Sequence, residues 1–590
     1  MTESSHVRGY DEALKLMHVA EGKHAADLAV VNATLLNVYT GELLENWAIC
    51  TCGKWIAYVG EEPDPCLGDS TKVIDAEGRT VIPGFIDGHT HNAWLVTAEA
   101  FLEYAMRGGT TTIITEVLEI YPMCGLAGVL DFLSSLRDQP IKFFTTAPIM
   151  VSTSSAVSGI SPEDLGQLLD RDDVIGLGES YWQDILQTPD RFLPAMIQAM
   201  RKGAVLEGHT AGAKGRNLMA YLTTGVSSCH EPINQQEVLD RLRLGLYVMV
   251  REGGIRKDLE AIAGIKDANV DLRRVILATD SVAPDELVEK GYMELIVQKA
   301  IDLGIDPVAA VQMATLNVAE HFRLDHLIGG IAPGRYADMI VVPDIRTIRA
   351  EAVISNGSII AENGELQTRP RSHTFSHESM HSIRLARELK PEDFAIDLPA
   401  RGSNARARVM DMVTDLVTLE HHMDVTVDDG RIRARPEENL LKAAAVDRTN
   451  SPGKTFTGLI KGFGLRSGAF ACSASWDTAD IIVVGAADED MALAVNRIAQ
   501  LQGGAVLCDK GRVLEELPLP IFGIMSELSL REATRKKKAL VAACRGLGMT
   551  FRDPVLSLIT LTGAAIPFLR ICEEGLVNLK DGKHLGLFVD

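Results

Sequence analysis

From residue 80 to residue 280 the chain repeats one unit, a short apolar run closed by a polar side chain and followed by a longer stretch of helical periodicity. Eight runs fit it: "TVIPGFIDGHTH", "GTTTIITE", "KFFTTAPIMV", "VIGLGE", "AVLEGHT", "GVSSCHE", "LYVMVREG" and "RRVILATD". Strands that alternate with helices pair in parallel, and eight such units close into a TIM-like (β/α)8 barrel. The stretch "DPVAAVQMATLNVAEHF" predicts a helix after the last strand, with Asp306 as cap and Pro307 in the first turn.

Seven of the eight runs end on or beside a residue able to do chemistry: His91, Glu116, Glu179, His209, His230, Glu252 and Asp280. Barrel active sites lie at the C-terminal ends of the strands. Residues two apart on a strand share a side, so His89 and His91 project together toward the mouth. Four histidines with Glu179 and Asp280 form a donor set suited to transition metals. Six protein ligands exceed the three that one catalytic ion takes, so two ions sharing a bridging group are expected. Such a pair provides hydroxide near neutral pH, and a nearby carboxylate moves its proton to the leaving group.

Both flanks of the barrel read differently. Residues 26–80 and 336–365 carry short β-branched runs broken by Gly, Asn and Asp, the texture of antiparallel sheet. They predict a composite β-sandwich domain from residues 1–82 and 330–372 around a barrel of residues 83–329. The polar segment "TRPRSHTFSHESMHS" reads as a linker into an additional C-terminal α/β domain, residues 385–590. His373, His377 and His381 in that linker are spaced by four, but a solvated linker explains them without a metal.

A net charge of −22 excludes a polyanionic partner such as nucleic acid, which requires concentrated Lys and Arg. The first residues lack the charged start and apolar core of a secretory signal, and no apolar run has the length of a membrane span. A cytoplasmic enzyme with a small-molecule partner is expected, assembled as a homo-oligomer and with its nine cysteines reduced.

At these residues the sequence resembles the adenine deaminase family of the amidohydrolase superfamily. "PGFIDGHTH" and "LATD" are shared across the superfamily. More specific are "EGHTAGAKGRNLMAYLTTGVSSCHE", "YVMVREG", "AVQMATLN", "IAPGRYAD" and, in the last domain, "IIVVGAADEDMALAVNRI" and "LEELPLPIFGIMS". The resemblance implies that His89, His91 and Asp280 hold one ion and His209 with His230 the other, with Glu179 bridging them. It implies Mn2+ or Fe2+, with Zn2+ as a further option, and conversion of adenine to hypoxanthine and ammonia through a metal-bridging hydroxide. Glu179 and Asp280 would be the catalytic carboxylates.

Five loop segments depart from the family pattern. Glu116, Val117, Leu118 and Glu119 replace Asp-Pro-His-Glu, and Ser281, Val282, Ala283 and Pro284 replace Asp-Arg-His-Pro after the metal aspartate. Tyr292 replaces Gly-His, Trp476 replaces the histidine before Asp477, and Ala93 with Trp94 replaces Glu-Ser-Ser. All six proposed ligands remain, and the changes fall where substrate is selected. Glu116, Glu119, Ser281, Trp476 and Asp477 are the candidate substrate contacts. Another aminated heterocycle or a cyclic amide is the alternative substrate; a non-catalytic relative would be expected to have lost ligands.

Overall fold

The computed structural model describes residues 6–149, 152–157, 159–398 and 404–589. All eight expected strands form: β1 (Phe85–Thr90), β2 (Thr110–Thr115), β3 (Lys142–Pro148), β4 (Val174–Tyr181), β5 (Val205–His209), β6 (Ser228–Cys229), β7 (Tyr247–Arg251) and β8 (Val275–Ala278). Met150 and Val151, at the end of the third run, lie outside the described residues.

Strands β1 to β5 make one parallel ladder and β6 to β8 another. Backbone hydrogen bonds join them: Ser227 donates to the Leu206 carbonyl at 3.0 Å, and Asp280 to the His89 carbonyl at 2.9 Å. Ile86, Ile114, Phe144, Val205, Met249 and Ile276 belong to one apolar cluster drawn from strands around the whole ring. The centre is thus packed rather than open, and chemistry is confined to the rim.

The helix expected after β8 is present in two pieces, Pro307–Met313 and Leu316–His321. Asp306 caps the first, accepting from Val308 and Ala309 N–H. The break follows from a competing partner, since the Ala314 carbonyl accepts from Ile86 N–H at 2.8 Å on β1.

Segments from both flanks share one nine-stranded sheet. Thr80–Pro83 is its hinge, antiparallel to Met339–Val342 on one side and parallel to Leu28–Asn37 on the other. Leu28, Val30, Ile49 and Val81 pack with Met339, Val341 and Ile354 in a single core, so neither flank completes a hydrophobic face alone. The sheet is tied to the barrel through Lys142 on β3, whose buried ammonium lies 2.7 Å from Asp338.

In the C-terminal domain the strand and helix alternation proves misleading about pairing. Asp480–Gly485, helix Asp488–Leu501 and Gly504–Asp509 follow one another in the chain, yet Ala469–Cys472 lies between the two strands and is antiparallel to both. The resulting eight-stranded sheet has one parallel pair, Asn404–Met412 with Thr455–Lys461. Most of its neighbours are joined by short reversals, which require antiparallel pairing.

This domain is fused to the barrel. Met525–Ser526 pairs in parallel with Leu95–Val96 from the loop after β1. The fully buried Arg448 donates to the carbonyls of Phe522 at 3.0 Å and Ser473 at 3.1 Å, and its guanidinium touches Met123 Sδ on the barrel. The linker histidines diverge. His373 bonds Asp131 at 2.8 Å, whereas the His377 and His381 rings stack on each other at 3.9 Å.

Candidate metal centre

Four imidazoles meet two carboxylates at the barrel mouth, each histidine presenting its Nε2. The Glu179 carboxylate is central: Oε1 lies 2.8 Å from His89, 3.7 Å from His91 and 3.7 Å from His230, and Oε2 lies 3.4 Å from His209. Asp280 Oδ1 is 3.3 Å from His91 and 3.6 Å from His89. His209 and His230 Nε2 approach to 3.0 Å. Glu179 comes from β4, and the others lie at or just beyond the ends of β1, β5, β6 and β8.

Burial favours neutral side chains here, so the field is set by what surrounds each group. Burial lowers the pKa of His89, but Glu179 and Asp280 outweigh it and raise the value to about 10. Burial likewise opposes charge on Asp280, yet His89, His91, His230 and Arg251 hold its carboxyl well below the usual range. Two anionic carboxylates in an enclosed mouth thus favour positive charge. His89, His91 and Asp280 form one group close enough to hold an ion, and His89, Glu179 and His230 form another. His89 Nε2 and Glu179 Oε1 are buried and lie 2.8 Å apart without hydrogen-bond geometry between them, as expected of ligand atoms arranged for a cation. Imidazole nitrogens with carboxylate oxygens and no thiolate suit a divalent transition metal.

A second layer orients these donors. Asp87, two residues before His89, accepts from the N–H groups of His89 at 3.3 Å and Thr279 at 3.1 Å, and from the Thr279 and Tyr292 hydroxyls. Glu207, two residues before His209, accepts from Ser228 Oγ at 2.6 Å and lies 2.7 Å from His321 Nε2. Neither was singled out in the sequence, although their period-two spacing from the histidines places them on the same side of the strand. Arg251 was also missed. The expected residue at the end of β7, Glu252, turns away to pair with Lys299 at 2.7 Å, whereas Arg251 Nη1 donates to Asp280 Oδ2 at 3.0 Å.

The candidate substrate contacts divide into two sets. Glu119 hydrogen-bonds His91 Nδ1, and Glu116 accepts from Thr146 and lies 3.6 Å from His89 Nδ1. Both carboxyls therefore stand behind imidazoles, and Glu119 through its hydrogen bond fixes the His91 ring orientation that leaves Nε2 free. Burial and the nearby charge of Glu179 raise the pKa of Glu116 to about 8. Tyr292 is likewise occupied by Asp87 and does not replace the expected Gly-His as a pocket group.

Trp476 and Asp477 instead reach the mouth from the C-terminal domain. The Trp476 ring lies nearly parallel to His91, centroids 6.2 Å apart, and 6.4 Å from Trp94. Asp477 holds a left-handed backbone conformation, accepts from Ala564 N–H at 2.7 Å and faces the Tyr181 hydroxyl at 3.3 Å. Burial raises its pKa to about 7. Ser281 follows Asp280 with its hydroxyl buried and unpartnered.

A mixed-ligand mouth on an eightfold barrel, flanked by a sheet built from both sides of it, defines a metal-dependent amidohydrolase. The amidohydrolase family matches residues 80–364, and the adenine deaminase C-terminal domain matches residues 415–583. Adenine deaminase of Clostridium botulinum (strain Loch Maree / Type A3) is 32% identical over 98% of this chain and 97% of its own length. That of Moorella thermoacetica is 34% identical over 97% of both, and that of Staphylothermus marinus 33% identical over 98% of both. The chain belongs to the adenine deaminase family.

Proposed function

We propose that the protein hydrolyses adenine to hypoxanthine and ammonia, and that His89, His91 and Asp280, with His209 and His230, would hold two divalent ions, Mn2+ or Fe2+, to both of which Glu179 would contribute. The observation that carries this is the convergence of four Nε2 atoms on the Glu179 and Asp280 carboxylates beneath an aromatic cover. Ions in such a set supply Lewis acidity, which makes water nucleophilic near neutral pH.

The chain's own groups do the rest. Glu119 keeps His91 in the tautomer that exposes Nε2. Asp280, anionic and anchored by Arg251 through Oδ2, presents Oδ1 beside His91 and His89 at the mouth, where it would take a proton from attacking water and return it to the departing amino nitrogen. Trp476 offers a face for a flat heterocycle, and Asp477, protonated in part near neutrality, offers a carboxyl to its polar edge. The cover limits bulk water around the reacting carbon.

Protein reconstituted with Mn2+ or Fe2+ under reducing conditions is expected to bind two ions per chain and to release ammonia stoichiometrically with hypoxanthine. Metal analysis together with product chromatography checks both, and a content well below two in active protein would favour a single-ion centre. The replaced loop residues Ala93, Trp94 and Leu118 favour a second reading, another aminated heterocycle or a cyclic amide. Ammonia release from a non-purine, or ring opening without ammonia, at rates far above those for adenine would select it.

Trp476→Ala should raise KM about 5- to 150-fold while leaving metal content unchanged, since stacking on an aromatic ring contributes about 1–3 kcal/mol per base. Steady-state kinetics beside elemental analysis reads this. An unchanged KM would return Trp476 to a packing role against Trp94.

A further inference from the structure

We propose a separate metal site for a zinc-class cation, formed by Cys572, Glu574 and His584 in the C-terminal domain. These residues belong to a small antiparallel sheet of Leu569–Cys572, Gly575–Asn578 and Lys583–Leu585. Cys572 pairs with Gly575, which makes Glu573 and Glu574 the two central residues of a tight turn. One ligand atom from each of Cys572, Glu574 and His584 falls within 4.8 Å of the others.

The separations suit a shared ion better than direct bonding. His584 Nδ1 stands 3.6 Å from Glu574 Oε2, beyond a normal hydrogen bond. Nitrogen and oxygen ligands at about 2.0–2.2 Å from one tetrahedral ion stand roughly 3.2–3.6 Å apart. Burial holds the Cys572 thiol protonated by pushing its pKa well up, and the Glu574 backbone N–H directed at the sulfur offsets only part of that. A cation would displace the thiol proton, as coordinated thiols are deprotonated. Three protein ligands of thiolate, imidazole and carboxylate type leave a fourth position for water, an arrangement typical of zinc. The thiolate also makes this set softer than the barrel centre, which suits zinc rather than manganese.

The surroundings indicate what the ion does. Ser155, in the loop after β3, donates to Glu574 through its N–H at 2.8 Å and its hydroxyl at 2.6 Å, and Ser154 donates to Glu573 at 2.8 Å. Ser152 in the same loop donates to the Asp477 carbonyl. Lys454, 3.6 Å from Glu574 Oε1, balances charge on the oxygen away from His584. An ion at Glu574 would therefore hold in place the carboxylate that already ties the loop after β3 to the C-terminal sheet, beside the segment that carries Trp476 and Asp477.

Full-length protein with its barrel site filled with manganese can be titrated with Co2+ under anaerobic conditions. One equivalent is expected to bind with a thiolate-to-cobalt charge-transfer band in the near ultraviolet, which a barrel centre without cysteine ligands cannot produce even if cobalt exchanges into it. Cys572→Ser should abolish the band. Because Cys572 is buried, His584→Gln at the more exposed ligand provides a second test, with cobalt affinity expected to fall at least about tenfold. Absence of the band in the wild-type protein, or a band and affinity undiminished in His584→Gln, would overturn the proposal.

Discussion

Glu179→Gln lowers turnover by at least about a hundredfold, and up to about ten-thousandfold, while the fold is retained; that is the expected result for the central carboxylate of the site. Gln keeps the volume, so the packing around this buried side chain is undisturbed. What changes is charge. Glu179 lies within 3.7 Å of all four histidines, and its carboxyl is held well below the usual carboxylate range because burial, which raises it, is outweighed by the imidazoles of His209, His89 and His91. An amide puts N–H donors toward nitrogens that need to coordinate, so metal content should fall with the rate. Circular dichroism and thermal melting report the fold, elemental analysis the metal, and initial rates the activity. Wild-type rate at wild-type metal content would falsify the bridging assignment.

How much of this was legible before the structure depends on the distance over which each feature is decided. Strand ends are decided locally: an apolar run stops at a polar residue, and alternation assigns its side. For His89, His91, His209 and His230 that was enough to bring them to one rim. At β7 the same reasoning was one residue out of phase, and one residue is a whole face. Glu252 therefore points to Lys299, and Arg251 reaches Asp280. Residue type alone also cannot separate a group that touches substrate from one that supports a ligand; Glu116 and Glu119 stand behind imidazoles because β1 and β2 are neighbours in the barrel.

Non-local pairing was the least legible. The segment around Asp488–Leu501 reads as a strand, a helix and a strand, and so it is, but the insertion of Ala469–Cys472 between those strands depends on register with residues far along the chain. The break near Ala314 is similar, since nothing in "AVQMATLN" announces that a carbonyl will be claimed by Ile86. The C-terminal domain also proves inseparable from the barrel. With Arg448 buried against Met123 and Leu95 paired to Met525, cutting the chain near residue 380 would expose apolar surface and unpaired backbone, so the role of the cover is better probed by point changes such as Trp476→Ala.

Asp280→Asn should also cost at least about a hundredfold in kcat, and here the backbone makes the experiment clean. Asp280 has φ +52°, the left-handed region that most residues resist and that Asn tolerates as well as Asp. Its N–H bond to the His89 carbonyl does not involve the side chain and survives the change. An Asn oxygen still accepts from Arg251, and that guanidinium keeps Asp258 at 3.2 Å, so no buried cation is stranded. What disappears is a carboxylate oxygen able to receive a proton and release it to the leaving nitrogen. If Asp280 only helped to hold metal, saturating Mn2+ would restore the rate in proportion to occupancy. If it moves the proton, the metal-saturated variant stays slow and loses the acidic limb of the kcat against pH profile. A fully loaded Asn variant with wild-type kcat would show that proton transfer is handled by another group, and Asp477 would be the next to test.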